Sequence, residues 1–137
     1  MHVPKKGAAQ YLLWLWIAEN EDLFMAKLAL KEEQGIGSAF FHLQQCVEKS
    51  LKAFLSYKKH ALVKTHDLSE LLALCKQYEI LFERFSSCAV SLNPYCTQTR
   101  YPCMHFFIPD IATLKVSIDE AEKILNFVKE RIVFLEK

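Results

Sequence analysis

Apolar residues recur every three or four positions along most of this chain, which is the period of an α-helix. The clearest stripe lies within residues 38–59, where apolar side chains share one helical face. They are Phe40, Leu43, Val47, Leu51 and Phe54. Ser38 is a residue type that commonly caps a helix N-terminus. The pattern therefore predicts an amphipathic helix that begins after Ser38 and runs to residue 59.

Similar patterns elsewhere predict five helices in all. They cover residues 8–33, 38–59, 68–78 and 80–92, and a last stretch that opens at Pro109-Asp110. Gly35-Ile36-Gly37 is expected to end the first helix, because glycine tolerates the positive φ of a helix C-cap. Thr65-His66-Asp67 offers a capped start for the third helix. Asn93-Pro94 is expected to stop the fourth, since the residue before a proline disfavours helical backbone.

The last helix carries a heptad-like seam of apolar residues at steps of three and four. They are Ile111, Leu114, Ile118, Ala121, Leu125, Val128, Ile132 and Leu135. Such a seam packs against an antiparallel helix of the same chain or, in the stronger interpretation, against a second copy. The predicted fold class is all-α, an antiparallel up-and-down bundle of four to five helices. A single domain is expected over residues 1–137.

Composition narrows the classes of partner. Apolar residues make up 52% of the chain, and the net charge is only +1, so no overall field draws it to nucleic acid. A nucleotide contact would need a local cluster of cations. The five cysteines are an odd number without a recognisable signal peptide, which favours reduced thiols and a cytoplasmic location. The longest apolar run is too short for a membrane span, so no membrane partner is expected.

A polar ridge lies beside the apolar stripe of the 38–59 helix. Gln44, Glu48 and Lys52 follow one another at intervals of four, with Gln45 and Lys49 one row over. One interpretation is an ordinary ion pair between Glu48 and Lys52 and a helix-forming glutamine. The other is functional, because a glutamine at the edge of a buried face needs partners for its amide and its carbonyl. Another helix, a second subunit or a nucleotide would supply them.

The segment from Lys49 to His66 is locally basic. It holds five lysines and two histidines and no acidic residue. Such a bias suits the binding of phosphate. The alternative is a solvated face that is balanced by the acidic residues at 19–22 and 32–33.

The irregular stretch 93–109 contains Arg100 and His105, separated by four residues. A histidine acting as general acid or base and an arginine stabilising the phosphorane would cleave RNA without a metal. The alternative is an arginine bonded to loop carbonyls and a histidine packed beside Phe106. The cysteines form no C-x2-4-C pair, so we predict no metal site and no cofactor.

Three of these segments, in this order, resemble the HEPN domain (higher eukaryotes and prokaryotes nucleotide-binding). They are residues 39–53, which contain Gln44-Gln45 and Glu48-Lys49, then Thr65-His66-Asp67-Leu68, then Thr99-Arg100-Tyr101-Pro102. The segments around Asp22 and Glu122 also fit the family. The last of the three segments is typical of a prokaryotic branch that commonly retains the arginine without the histidine.

The resemblance implies a helical bundle that commonly forms a homodimer. It implies a nucleotide-binding module and partner of a minimal nucleotidyltransferase, in a toxin–antitoxin-like pair. The binding residues would be Gln44, Gln45, Glu48, Lys49, Lys52, His66, Arg100 and Tyr101. One alternative is a metal-independent endoribonuclease with Arg100 and His105 as catalytic residues. The other is a scaffold dimer without catalysis.

Overall fold

A computed structural model describes residues 3–96 and 108–136 of the chain. Its α-helices are α1 (Gln10–Ile17), α2 (Phe24–Glu32), α3 (Ile36–Tyr57), α4 (Leu68–Tyr78), α5 (Ser86–Leu92) and α6 (Ile111–Glu136). A π-helical turn, Ala18–Leu23, joins α1 to α2, and 3₁₀ helices cover Ile80–Phe85 and Asn93–Cys96. The described residues contain no strand. The predicted all-α bundle is confirmed, and residues 3–96 and 108–136 form five α-helical elements when α1, the π-helical turn and α2 are counted as one rod.

The first predicted helix has nearly the expected length, but its interior and its end differ from the prediction. The π-helical turn at Ala18–Leu23 interrupts the rod, a feature that apolar periodicity does not predict. The rod ends at Glu33, which itself adopts the left-handed conformation with a φ of 54°. The glycine prediction was wrong at this point, because Gly35 (φ 68°) instead lies at the N-cap of α3. Ser38 is consequently inside the first turn of α3 and does not cap it.

α3 is the central helix of the bundle. The five stripe residues Phe40, Leu43, Val47, Leu51 and Phe54 are all buried, as predicted. Burying each such side chain stabilises the fold by about 2 kcal/mol. α3 packs against the α1–α2 rod, against α4 and against α6. Because it has neighbours on several sides, polar residues beside the stripe are buried as well.

α6 places its apolar seam inside the fold. Leu114, Ala121, Leu125, Val128 and Ile132 are fully buried, and α6 packs chiefly against α3. From Leu114 to Ile132 the seam is therefore filled by helices of the same chain. Asp110 caps α6 by accepting a hydrogen bond from the Thr113 backbone N–H at 2.8 Å. None of the helices described combines the length and the apolar character needed to cross a bilayer.

The fourth predicted helix is divided into a 3₁₀ helix and α5. In a 3₁₀ helix, side chains three residues apart lie on the same side. Phe82 and Phe85 use this spacing to reach Phe127 of α6, with ring centroids at 4.8 and 5.1 Å. Phe82 also contacts Phe54 of α3 at 4.7 Å. We attribute the tighter helix to this aromatic cluster, which the sequence pattern alone did not predict.

Candidate functional site

Glu48 is the centre of the polar ridge on α3. Its side chain is buried, with the residue 4% exposed. One of its oxygens, Oε2, contacts both Lys52 Nζ and His66 Nδ1 at 3.1 Å. Its other oxygen, Oε1, accepts hydrogen bonds from the amides of Gln44 at 3.3 Å and Gln45 at 3.5 Å. A buried carboxylate is stable only with such partners, and Glu48 has four of them.

The partners of the buried Gln44 come from within the chain. Its Nε2 donates to the backbone carbonyl of His66 at 3.1 Å as well as to Glu48. Its Oε1 accepts from Gln45 Nε2 at 2.7 Å. The predicted ion pair between Glu48 and Lys52 is present. The sequence left open whether another helix, a second subunit or a nucleotide satisfies Gln44. The contacts described come from Gln45 and Glu48 of α3 itself and from the segment before α4.

A second buried carboxylate contacts side chains of α3 that lie one helical row away from Glu48. Asp22, in the π-helical turn, is 3% exposed. Its Oδ2 contacts Lys49 Nζ at 2.6 Å, and its Oδ1 contacts His42 Nδ1 at 2.8 Å. Asp22 and Glu48 thus each hold one lysine and one histidine. Lys49, expected in a single ridge with Glu48, belongs to the other carboxylate.

Sequence reasoning did not assign Asp22 or His42 to the site. The family resemblance includes Asp22 only as part of the opening segment. Asp22 follows Ala18 by four residues, which is the spacing of an ordinary α-helix. An acidic residue at a buried helical position was the available signal. The sequence alone does not show which side of the rod Asp22 occupies, because that side depends on the π-helical turn.

Asp67 joins the ridge to the segment that follows α5. Its Oδ1 caps α4 by accepting from the backbone N–H groups of Ser69 and Glu70, at 2.8 and 3.3 Å. Asn93 Nδ2 donates to the same oxygen at 2.9 Å, and Asn93 Oδ1 accepts from the backbone N–H of Leu68 at 2.9 Å. The hydrogen bond from the Asn93 amide is the main cause that lowers the pKa of Asp67. Burial opposes it, and the backbone N–H groups of Glu70 and Ser69 lower the pKa further.

The Asn93–Cys96 helix is fixed to the core by Tyr95, whose ring lies 5.0 Å from that of Phe40. Burial raises the pKa of Tyr95. Residues 97–107 begin directly after this helix. The predicted site residues Arg100, Tyr101 and His105 lie in that segment, outside the described residues.

A cleft opens beside Lys52, between α1 and the segment that follows α3. It has a volume of about 210 Å³. Its lining residues are Gln10, Trp14, Lys52, Leu55, Ser56, His60, Ala61, Leu62 and Val63. Lys52 Nζ lies 5.9 Å from the centroid of the Trp14 ring. The cleft thus combines an aromatic ring, a cation and hydroxyl and imidazole groups, and none of its lining residues is acidic.

Three cysteines of the described part are free thiols in the core, Cys46, Cys75 and Cys88. Burial is the main cause that raises the pKa of all three, and for Cys88, where the Glu120 charge adds to it, the pKa is about 12. A thiol with such a pKa is a poor nucleophile at neutral pH. These cysteines act as small apolar residues.

Comparison with known proteins agrees with this architecture. The family model described as HEPN domain matches residues 11–136. The crystal structure of TT1696 from Thermus thermophilus is similar, with 27% identity and a TM-score of 0.78 over 90% of this chain and 98% of that one. The structure of ST0689, an archaeal HEPN homologue, is also 27% identical, with a TM-score of 0.66 over 87% and 94% of the two chains. No curated protein matches the chain.

Proposed function

The chain belongs to the HEPN-domain family, and we propose that it is a nucleotide-binding module that partners a minimal nucleotidyltransferase. The pair would be toxin–antitoxin-like, and the module would act as a homodimer in the cytoplasm. Fold alone does not determine function, so the proposal depends on the geometry of the Glu48 site.

One observation carries the nucleotide part of the proposal. Lys52 Nζ and His66 Nδ1 contact the same carboxylate oxygen of Glu48, each at 3.1 Å. The carboxylate therefore holds two nitrogen groups close together. The His66 side chain is 67% exposed, so its outer edge is open to a ligand. A phosphate group is a suitable ligand for such a pair, because both groups are hydrogen-bond donors when protonated.

The homodimer part of the proposal is supported by exposed apolar residues on α2. Phe24, Met25 and Leu28 are all exposed on that helix. Exposed apolar side chains that cluster on one helix are typical of protein interfaces. A second copy of the chain is the occupant we propose for this face.

Calorimetric titration with ATP, other nucleotides and short RNA tests nucleotide binding. We expect saturable heat with at least one nucleotide, and a severalfold weaker affinity for His66→Ala. Lys64→Ala is the matched control, since Lys64 is an exposed cation of the same segment with no contact to Glu48. Absence of heat at millimolar ligand refutes the nucleotide part. Co-purification with a nucleotidyltransferase encoded beside the gene then tests the partner part separately.

Metal-independent RNA cleavage is the second candidate function. The observation that favours it is the double hydrogen bond between Asn93 and the Asp67-Leu68 cap. This contact holds Asn93, which precedes the segment containing Arg100 and His105 in the sequence, against the start of α4. RNA incubated in chelator with the protein, Arg100→Ala and His105→Ala tests the idea. Equal cleavage by all three samples refutes it.

A further inference from the structure

The ridge itself leaves little room for a ligand. Gln44 and Glu48 are buried and bonded to each other, and Lys49 is paired with Asp22. Lys52 differs, because it also lines the cleft of about 210 Å³ beside Trp14. A nucleotide held near Lys52 would therefore have this adjoining cleft to occupy, and the cleft lies on the side of α1.

We propose that this cleft binds a nucleoside monophosphate, with the base against Trp14 and the phosphate at Lys52, the residue that the cleft shares with the Lys52–His66 pair. The inference rests on the proposed nucleotide-binding function and adds a location and a ligand class. Trp14, Ser56 and His60 were not among the predicted site residues. Base–aromatic stacking tolerates any base, so the cleft selects for a nucleotide and not for one particular base.

Size and hydrogen bonding support a mononucleotide. Sites for drug-sized ligands are usually about 300 Å³ or larger, so this cleft suits a base and little more. His60 uses Nδ1 for the Tyr78 hydroxyl at 2.9 Å, which leaves its Nε2 as a second polar atom. The phosphate would then lie at the mouth of the cleft, where Lys52 and the basic segment supply positive charge.

Charge distinguishes this cleft from others that the structure describes. The clefts around Arg84 and Lys123 have a carboxylate among their own lining residues, Glu130 in one and Glu120 in the other. The carboxylate paired with Lys52 is that of Glu48, which is buried and does not line the cleft beside Trp14. The groove between α2 and α3 is mainly apolar and contains Glu32. The cleft beside Trp14 has no acidic lining residue, which favours an anionic ligand.

Tryptophan fluorescence gives a direct test, because the chain has two tryptophans and only Trp14 lines the cleft. In Trp16→Phe, Trp14 is the sole tryptophan. We expect AMP to quench its emission in a saturable way. Adenosine should bind more weakly, since it lacks the phosphate, and inorganic phosphate alone should not quench. Adenosine and AMP binding equally well would overturn the assignment of the phosphate to Lys52.

Leu62 allows a charge test that leaves the fold intact. It lines the cleft and is 76% exposed. Leu62→Glu should weaken AMP binding roughly fivefold at low salt, through repulsion of the phosphate. Val90→Glu is the matched control, because Val90 is 67% exposed on α5 and is not a lining residue. The Val90→Glu variant should bind AMP with the same affinity as the unmodified chain.

The outcomes separate the two proposals. Calorimetric binding of AMP with unchanged Trp14 emission and no effect of Leu62→Glu overturns the cleft and leaves nucleotide binding standing. No binding of any nucleotide overturns both. Saturable quenching that Leu62→Glu weakens and Val90→Glu does not supports both.

Discussion

Replacing Glu48 by glutamine removes a buried charge while keeping the shape of the side chain. In the unmodified chain, Glu48 contacts Lys52 and His66 and accepts from two glutamine amides. Glu48→Gln leaves Lys52, whose side chain is only 11% exposed, without its carboxylate. It also brings a third amide NH₂ group next to Gln44 and Gln45. The substitution therefore leaves a cation without its partner and replaces one acceptor oxygen by a donor NH₂ group.

Removing one partner of a buried ion pair costs about 3–5 kcal/mol. His66 is largely exposed and can be solvated by water, so its share of the loss is small. We therefore expect a loss at the lower end of this range, about 3 kcal/mol of the free energy of unfolding. For a chain of this size, that corresponds to a fall in Tm of roughly 10 °C.

Urea unfolding followed by circular dichroism measures the loss, with an unchanged m-value as the check on two-state behaviour. Glu122→Gln is the matched control, since Glu122 pairs with Lys27 on the surface and should contribute under about 1 kcal/mol. The double variant Glu48→Gln/Lys52→Met should recover much of the stability, because it removes the stranded cation. A loss for Glu48→Gln no larger than that for Glu122→Gln would refute the reasoning.

Three further predictions concern other parts of the fold. Lys59 adopts a φ of 59°, so Lys59→Gly should stabilise the chain by about 0.5–1 kcal/mol in urea unfolding, because glycine adopts this conformation without strain. The buried thiols of Cys46, Cys75 and Cys88 should resist iodoacetamide at pH 8 in the native state, as read by mass spectrometry of the peptides. Asp67 has a lowered pKa in the folded state, so its contribution to stability is present above the ordinary aspartate pKa of about 3.9. It is lost as the pH falls through the lower folded value, and Asp67→Asn should therefore lose less stability than the unmodified chain between pH 5 and pH 2.5.

Each of these three predictions has a result that would contradict it. Lys58→Gly, at a residue with a φ of −78°, is the control for Lys59→Gly, and an equal effect of the two would exclude relief of strain. Alkylation of the core thiols at the rate of the unfolded chain would show that they are accessible. An identical acid dependence for Asp67→Asn and the unmodified chain would remove Asp67 as a source of acid lability.

The extent of most helices was predictable because burial follows the apolar period. The stripe of α3 is buried residue for residue, and α4 begins at Leu68 with Asp67 as its cap. The interval of four between Glu48 and Lys52 predicted their ion pair. These features depend on local spacing, which the sequence contains in full.

Other features depend on contacts between distant segments. The backbone carbonyl of His66 reaches Gln44 because the segment before α4 folds back over α3, which no local pattern encodes. The pairing of Lys49 with Asp22 joins two helices and depends on the π-helical turn. The cleft beside Trp14 is formed by α1 and the turn after α3, so its residues are scattered along the sequence.

The π-helical turn also lets the rod contain one residue more than a regular α-helix of the same direction. A π turn closes hydrogen bonds over one residue more than an α turn, so each of its residues advances by less than the roughly 100° of an α-helical residue. Deleting one residue within Ala18–Leu23 would therefore restore a regular α-helix while α1 and α2 keep nearly their present faces. The change would fall on Asp22, whose contacts with His42 and Lys49 depend on the turn. The extra residue is thus a place where the rod can change length and lose its buried carboxylate contacts without repacking the bundle.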